Sequence, residues 1–100
     1  MNTIVPGMFA RSLAGHDKGT LYLVCDAEGD FVFLTDGKTK RIAHPKKKNI
    51  RHIQADKTIL PEIAEKLDQK TGLSDADIRA AIRKKQEEEM LRCQNQTSLK

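Results

Sequence analysis

The side chains best suited to chemistry in this sequence are lysines and arginines, and they are concentrated in one stretch. Residues 36–57 carry eight basic and two acidic side chains, whereas residues 1–35 are net acidic and residues 58–100 are balanced. The whole excess of the +4 net charge therefore lies in 22 residues. Cations at this density bind a polyanion by releasing its counterions, which gives affinity without reading a sequence. A lysine run alone is as typical of a solvated face, but this concentration favours nucleic acid.

Other reactive residue types are present without the spacing that catalysis or metal binding needs. His16, Asp17 and Cys25 could in principle serve as base, acid and nucleophile, but His16 and Asp17 are adjacent and belong to a turn. The remaining histidines, His44 and His52, have no metal-ligand spacing. We therefore expect neither an enzyme nor a cofactor.

Composition indicates one small domain. The chain has 100 residues, of which 38% are apolar and 32% charged, so the core must be modest. No apolar stretch reaches the length of a membrane span, and residues 1–20 lack an apolar signal-peptide core. We expect a soluble, cytoplasmic and monomeric protein. In that reducing setting Cys25 and Cys93 form no disulfide; Cys25 is expected in the core and Cys93 in a tail.

Turn signals divide the first half of the chain into short strands. The Gly15–Gly19 loop, Gly29 and Asp36-Gly37 are turn signals, and Pro45 is expected to end a strand before a tight turn at residues 46–49. The predicted strands are residues 8–13, 20–26, 31–34, 38–43 and 50–54. The second and third are apolar on both faces and therefore need cover on both sides.

The second half changes to helical periodicity. Apolar residues recur at helical spacing between Pro61 and Gly72, which predicts a first helix. Ser74 and Asp77 have the spacing of a capping box and predict the start of a second helix. Arg83, Lys84 and Lys85 each precede a glutamate by four residues, the weaker order for helix stabilisation. From residue 94 onward the sequence predicts a disordered tail.

Residues 7–24 resemble the KOW motif, in which apolar residues flank a Gly-x-Asp-Lys-Gly loop. Gly15-His16-Asp17-Lys18-Gly19 fits that loop, and Phe9 stands where valine is commoner. Over residues 4–85 the chain resembles short bacterial KOW-domain RNA-binding proteins that are similar to a group of eukaryotic and archaeal ribosomal proteins. The features shared with these proteins are the motif, the Asp36-Gly37-Lys38 segment, Pro45-Lys46-Lys47-Lys48 and a short helical tail.

The resemblance implies a mainly β fold with α. It predicts a small five-stranded SH3-like barrel over residues 1–57, followed by one or two helices that form an extension packed on it over residues 58–93. The disordered tail at 94–100 is expected from the residues alone. It implies RNA as partner, ribosomal RNA in particular, with ribosomal proteins as further partners. The residues predicted to bind RNA are Arg11, His16, Lys18, Lys38, Lys40, Arg41, Lys46, Lys47, Lys48, Arg51 and His52.

Recognition is expected to rest on RNA shape and phosphates. Lys38 and Lys40 would share one face of the predicted fourth strand, and Lys46, Lys47 and Lys48 would reach phosphates from a turn as flexible point charges. Aromatic stacking platforms are scarce, and Tyr22 is expected in the core. The alternative is a protein-binding KOW module, because small barrels add partner strands at their edges and the helical tail could dock on a protein.

Overall fold

The computed structural model describes residues 4–68 and 72–98, and the strands in these ranges form one open antiparallel sheet. The strands are β1 (Phe9–Ser12), β2 (Leu21–Glu28), β3 (Phe31–Thr35), β4 (Lys46–Asn49) and β5 (Ile53–Asp56). They pair in the order β4-β3-β2-β1-β5, which leaves β4 and β5 at the two edges. Five short strands followed by one or two helices were predicted, and this level of the fold is confirmed, with two helices present.

The first three strands lie where the turn signals placed them. A two-residue hairpin joins β2 to β3, with Glu28 opposite Phe31 and Gly29 at a φ of +59°. The glycine meets no backbone penalty in this left-handed conformation. The register shifts between Val24 and Asp26, so Cys25 is the extra residue of a β-bulge. The Cys25 thiol is half-buried and donates to the carbonyl oxygen of Phe33 at 3.2 Å.

The prediction of a fourth strand at residues 38–43 is wrong. Asp36 and Gly37 do form a turn, but one carboxylate oxygen of Asp36 accepts from the backbone N–H groups of Lys38 and Lys40 at 2.9 Å each. Those donors are therefore not available to a strand ladder. The backbone N–H of Ile42 donates instead to Asp75, at 2.9 Å, and the chain leaves the sheet as a loop.

The three consecutive lysines form the fourth strand, where a turn was predicted. In β4, Lys46 lies opposite Leu34, Lys47 opposite Phe33 and Lys48 opposite Val32. Pro45 immediately precedes this edge strand, a position at which its missing N–H costs no ladder bond. Because side chains alternate along a strand, Lys46 and Lys48 lie on one face of the sheet and Lys47 on the other.

The fifth strand begins later than predicted. A single 3-10 turn, Ile50–His52, follows β4, and β5 pairs with β1 from Ile53 onward. The Asn49 side chain caps this turn by accepting from the backbone N–H of Arg51 at 2.9 Å. An Asn that favours local capping therefore interrupts the extended chain at residues 50–52, which were assigned to a strand.

Two helices follow the sheet, α1 (Pro61–Asp68) and α2 (Asp75–Ser98). The capping box predicted at the start of α2 is confirmed, since Asp77 N–H donates to Ser74 Oγ at 3.1 Å and Ser74 N–H to Asp77 Oδ2 at 3.0 Å. The disordered tail predicted from residue 94 is helical as far as Ser98, and residues 99–100 lie outside the described residues, as do the side chains from residue 92, Cys93 included. No described helix has the length and apolar character that crossing a membrane requires.

The apolar residues form two clusters, one on each face of the sheet. Phe9, Leu21 and Leu23 face the helices and pack with Ile63 and Ile78. The opposite face carries a second cluster that joins four strands, namely Met8, Ala10, Tyr22, Val24, Val32, Leu34 and Ile53. The alternation Leu21, Tyr22, Leu23, Val24 thus serves both clusters, which explains why β2 is apolar on both faces. Tyr22 is 3% exposed, so its predicted place in the core is confirmed.

Candidate nucleic-acid interface

The Gly15–Gly19 loop is a tight turn that directs one carboxylate inward. Gly15 and Gly19 have φ values of +89° and +91°, and the Gly19 N–H donates to the Ser12 carbonyl at 2.8 Å. Lys18 N–H donates to the Gly15 carbonyl at 3.2 Å, which closes the turn. Two glycines supply the left-handed backbone that other residues adopt at a cost. As a result Asp17 lies over the sheet, while His16 and Lys18 are exposed.

The Asp17 carboxylate accepts four side-chain hydrogen bonds. Its Oδ1 accepts from Ser12 Oγ at 2.9 Å and from Lys48 Nζ at 2.8 Å. Its Oδ2 accepts from Tyr22 Oη at 2.8 Å and from Lys46 Nζ at 2.9 Å. These five residues, Ser12, Asp17, Tyr22, Lys46 and Lys48, are called the Asp17 cluster below. They join the loop, β1, β2 and the edge strand β4.

The pKa values of Asp17 and Tyr22 are both strongly perturbed. Burial by itself raises the pKa of Asp17, but the hydrogen bonds from Lys48, Lys46, Tyr22 and Ser12 outweigh it and hold the pKa far below its usual range. Burial also raises the pKa of the Tyr22 hydroxyl, and its bond to the Asp17 carboxylate raises it further. Asp17 is thus a permanent anion that neutralises one charge of the adjacent lysine pair.

The three lysines of β4 differ in solvent exposure and in the groups that their side chains contact. The Lys48 side chain is 10% exposed and also donates to the Ala14 carbonyl at 2.8 Å, while Lys46 is 31% exposed. Lys47 projects from the opposite face, with its Nζ 4.5 Å from the centre of the Phe31 ring. The expectation of three flexible lysines on a turn is therefore wrong, because a strand holds them and Asp17 binds two. Their contact with RNA stays a prediction.

Most of the other predicted RNA-binding side chains are accessible. Arg11 is also partly exposed but is paired, since its guanidinium donates to Glu89 at 2.7 Å and to the Gly19 carbonyl at 2.8 Å. Arg51 and His52 are exposed in the 3-10 turn, and the His52 carbonyl accepts from Leu13 N–H, which places this turn beside the start of the loop. Exposed or half-buried without a carboxylate partner among the described residues are His16, Lys18, Lys38, Lys40, Arg41, Arg51 and His52.

A shallow cleft brings part of this set together. It lies between the Gly15–Gly19 loop and the 36–40 loop and encloses about 320 Å³. Its basic lining residues are His16, Lys40 and Lys46, and it is called the loop cleft below. Each residue that lines it carries a polar or ionisable group. Arg51, His52 and Lys47 do not line it.

Two arginines missed by the sequence analysis line a neighbouring cleft. Arg79 and Arg83 of α2 face Lys38 across it. Residues 58–100 are electrically balanced, and that balance concealed them. Their i, i+4 spacing, which places both on one helix face, was the available signal.

Catalysis at Cys25 finds no support in the geometry. Burial, more than any other effect, raises the pKa of the Cys25 thiol, and the Asp26 carboxylate raises it further. A nucleophilic cysteine needs the opposite shift. Asp17 is fully engaged with its four donors and orients no histidine. Within residues 4–68 and 72–98, no three metal-ligating side chains are grouped closely enough to hold an ion.

Comparison of the chain with models of known protein families found no match, and comparison with curated protein sequences found none either.

Proposed function

We propose that this chain is a cytoplasmic RNA-binding protein of the KOW type, associated with the ribosome, that binds structured RNA through its phosphates. The proposal extends to an SH3-like fold for the sheet and to ribosomal RNA as the principal partner. It requires no cofactor and a single copy of the chain.

The strand pairing supports the SH3-like part of the proposal. β1 is hydrogen-bonded to β2 on one side and to β5 on the other, so the strands that come first and last in the chain are neighbours in the sheet. The second apolar cluster includes Val32 and Leu34 of β3 together with Ile53 of β5, which a strongly curled sheet brings to one side. Small barrels are filled in this way by the side chains of one sheet face.

The observation that carries the RNA proposal is the excess of unpaired cations around the Gly15–Gly19 loop. The loop cleft holds Lys40, which has no carboxylate partner among the described residues, and Lys18 and Lys38 are exposed close by in sequence to its two walls. Asp36, the second carboxylate of that cleft, is used in hydrogen bonds to backbone N–H groups. Uncompensated cations on a rigid support attract phosphates and add affinity that depends on salt.

The alternative of a protein-binding module by strand addition has less support. The exposed edge next to the loop is β4, which carries three lysines. Lysines on an edge strand, and charges directed toward the core face as in Lys46 and Lys48, are devices that oppose pairing with another strand.

The proposal is tested with the full chain and a fluorescent 20-base-pair RNA hairpin, by anisotropy at several salt concentrations. The double variant Lys38→Gln with Lys40→Gln should bind at least about tenfold more weakly and should lower the salt slope by about 2, since two phosphates are then no longer neutralised. The matched control is Lys57→Gln, which removes the same kind of exposed charge beside Gln54 and Asp56, away from the loop cleft.

Three outcomes contradict the proposal: no binding by the wild-type chain, binding that salt does not weaken, or equal losses for Lys57→Gln and the Lys38 and Lys40 variant. In cells, crosslinking and sequencing of attached RNA should recover ribosomal RNA. Recovery of proteins alone, unchanged by the double variant, would favour the protein-binding module.

A further inference from the structure

The second cleft lies between the 36–40 loop and α2 and has a strongly basic wall. Lys38, Arg79 and Arg83 line it, together with Gln86, Thr20 and Asp36. The single carboxylate among these residues, Asp36, is occupied by the backbone N–H groups of Lys38 and Lys40. This region, called the α2 cleft below, therefore presents three cations that form no ion pair with a described carboxylate, against the single negative charge of Asp36.

The two walls of the α2 cleft are fastened together. Arg79 Nη1 donates to the Gly37 carbonyl at 2.6 Å, and Ile42 N–H donates to Asp75 Oδ1 at 2.9 Å. Gly37 is buried against the helix, and a Cβ at that position would collide with the Asp75 carbonyl and with Arg79. The backbone of Lys38 is thus held beside the two arginines by the fold, which keeps the three cations on one cleft.

Whether a described basic side chain of α2 pairs with a carboxylate depends on the direction in which it faces. Lys84 pairs with Glu62 of α1 at 3.2 Å, and the buried Lys85 pairs with Asp56 of β5 at 2.6 Å. Arg79 and Arg83 face the α2 cleft and have no carboxylate within 4 Å among the described residues. Glu87 follows Arg83 by one helical turn and could have paired with it, but does not. The lysines that face the protein are thus paired, whereas no described carboxylate pairs with the arginines that face the cleft.

The two clefts adjoin, because Thr20 and Asp36 line both. Together they form a continuous strip from Lys40 and Lys46, past Lys38, to Arg79 and Arg83. We propose that the α2 cleft binds phosphates of the same RNA that the loop cleft contacts, so that the C-terminal helix is part of the RNA interface. The inference rests on the proposed function and extends it from the KOW loop to α2. A guanidinium suits this role because it offers paired donors to one phosphate.

Arg83→Gln in the full chain is the most direct test, because the Arg83 side chain is exposed and has no hydrogen bond or ion pair among the described residues. Binding to the 20-base-pair RNA hairpin should weaken about fivefold, and the salt slope should fall by about 1. Arg83→Lys should retain part of the affinity, since a point charge still attracts phosphate. The matched control is Lys84→Gln, the next residue on the same helix, which should leave both quantities unchanged. Thermal unfolding of each variant checks that the fold is kept.

The result that overturns the inference is wild-type affinity for Arg83→Gln, or equal losses for Arg83→Gln and Lys84→Gln. If in the same experiment the Lys38 and Lys40 variant binds weakly, the proposed function stands and only the role of α2 is wrong. If the wild-type chain does not bind the hairpin, the proposed function and this inference fail together.

Discussion

The Asp17 cluster and the α2 cleft hold basic side chains in opposite electrostatic states. In the Asp17 cluster two lysines converge on one carboxylate, and the Lys48 side chain is only 10% exposed. In the α2 cleft Lys38 and Arg83 are exposed and lack a carboxylate partner among the described residues. Charge that is buried and paired organises the fold, whereas charge that is exposed and unpaired remains available to a ligand. The densest lysine run in the sequence, Lys46–Lys48, is therefore more fully paired with carboxylates than the cations of the α2 cleft.

The largest effect is expected for Asp17→Asn. It leaves Lys48 largely buried without its anion, and breaking such a pair from one side costs about 3 kcal/mol of unfolding free energy. Chemical denaturation measures the loss. The double variant Asp17→Asn with Lys48→Met should recover part of it, because the unpaired charge is then removed. A loss below about 0.5 kcal/mol for Asp17→Asn would contradict a structural role for the cluster.

Lys48→Gln and Lys38→Gln compare the two regions directly. Lys48→Gln should lower the unfolding free energy by about 2 kcal/mol, since Asp17 and the Ala14 carbonyl lose a charged donor. Lys38→Gln should change it by less than about 0.5 kcal/mol and instead weaken RNA binding. Urea unfolding and RNA anisotropy on both variants provide the four measurements. The comparison fails if Lys38→Gln destabilises the fold as much as Lys48→Gln.

A smaller effect is expected from acid titration of Asp56. The hydrogen bond from buried Lys85, followed by one from the Thr58 backbone, lowers the pKa of Asp56 to about 2. A carboxylate with a lowered folded-state pKa stabilises the fold above its ordinary pKa near 4, and this contribution is lost as the pH falls from about 4 to about 2. The side chain is 41% exposed, so solvent screening limits the contribution to about 1 kcal/mol.

The measurement for Asp56 is the unfolding free energy of the wild type and Asp56→Asn between pH 7 and pH 2. The difference between the two should be constant above about pH 4 and should shrink below it. A difference that is independent of pH would show that the ion pair with Lys85 does not stabilise the fold.

The smallest effect is expected for Lys47→Gln, on the face of β4 opposite the Asp17 cluster. Its contact with the partly exposed Phe31 ring contributes about 0.5 kcal/mol, as cation–π pairs at exposed sites do. Thermal unfolding should detect a loss of that size. Lys47→Arg should restore it. A loss as large as that of Lys48→Gln would remove the distinction between the two faces of the strand.

Local signals predicted the parts of the fold that local chemistry controls. The Gly15–Gly19 turn, the hairpin at Gly29 and the Ser74–Asp77 capping box depend on residues a few positions apart, and all three formed as expected. The fourth strand was misplaced because its position depends on distant partners. Asp75, 33 residues away, captures Ile42 N–H and so removes residues 38–43 from the sheet.

For the candidate site, the sequence predicted which basic residues are abundant but not how they are arranged in space. The excess of cations near residues 38–51 was visible, but the burial of Lys48 was not, since it depends on the register of β4 against β3. Arg79 and Arg83 escaped notice because acidic residues elsewhere in the same segment cancelled their charge. A charge sum over a segment cannot show which face of a helix each residue occupies.

The sequence by itself determined the glycine-containing turns, the order of strands before helices and the location of the excess positive charge, because these follow from backbone preferences and residue counts. Only the tertiary structure decided which cations are neutralised. Asp17 meets Lys46 and Lys48 across about 30 residues of chain, and Lys38 meets Arg79 and Arg83 across more than 40. Electrostatic pairing depends on distances in space, and strand register and helix docking set those distances.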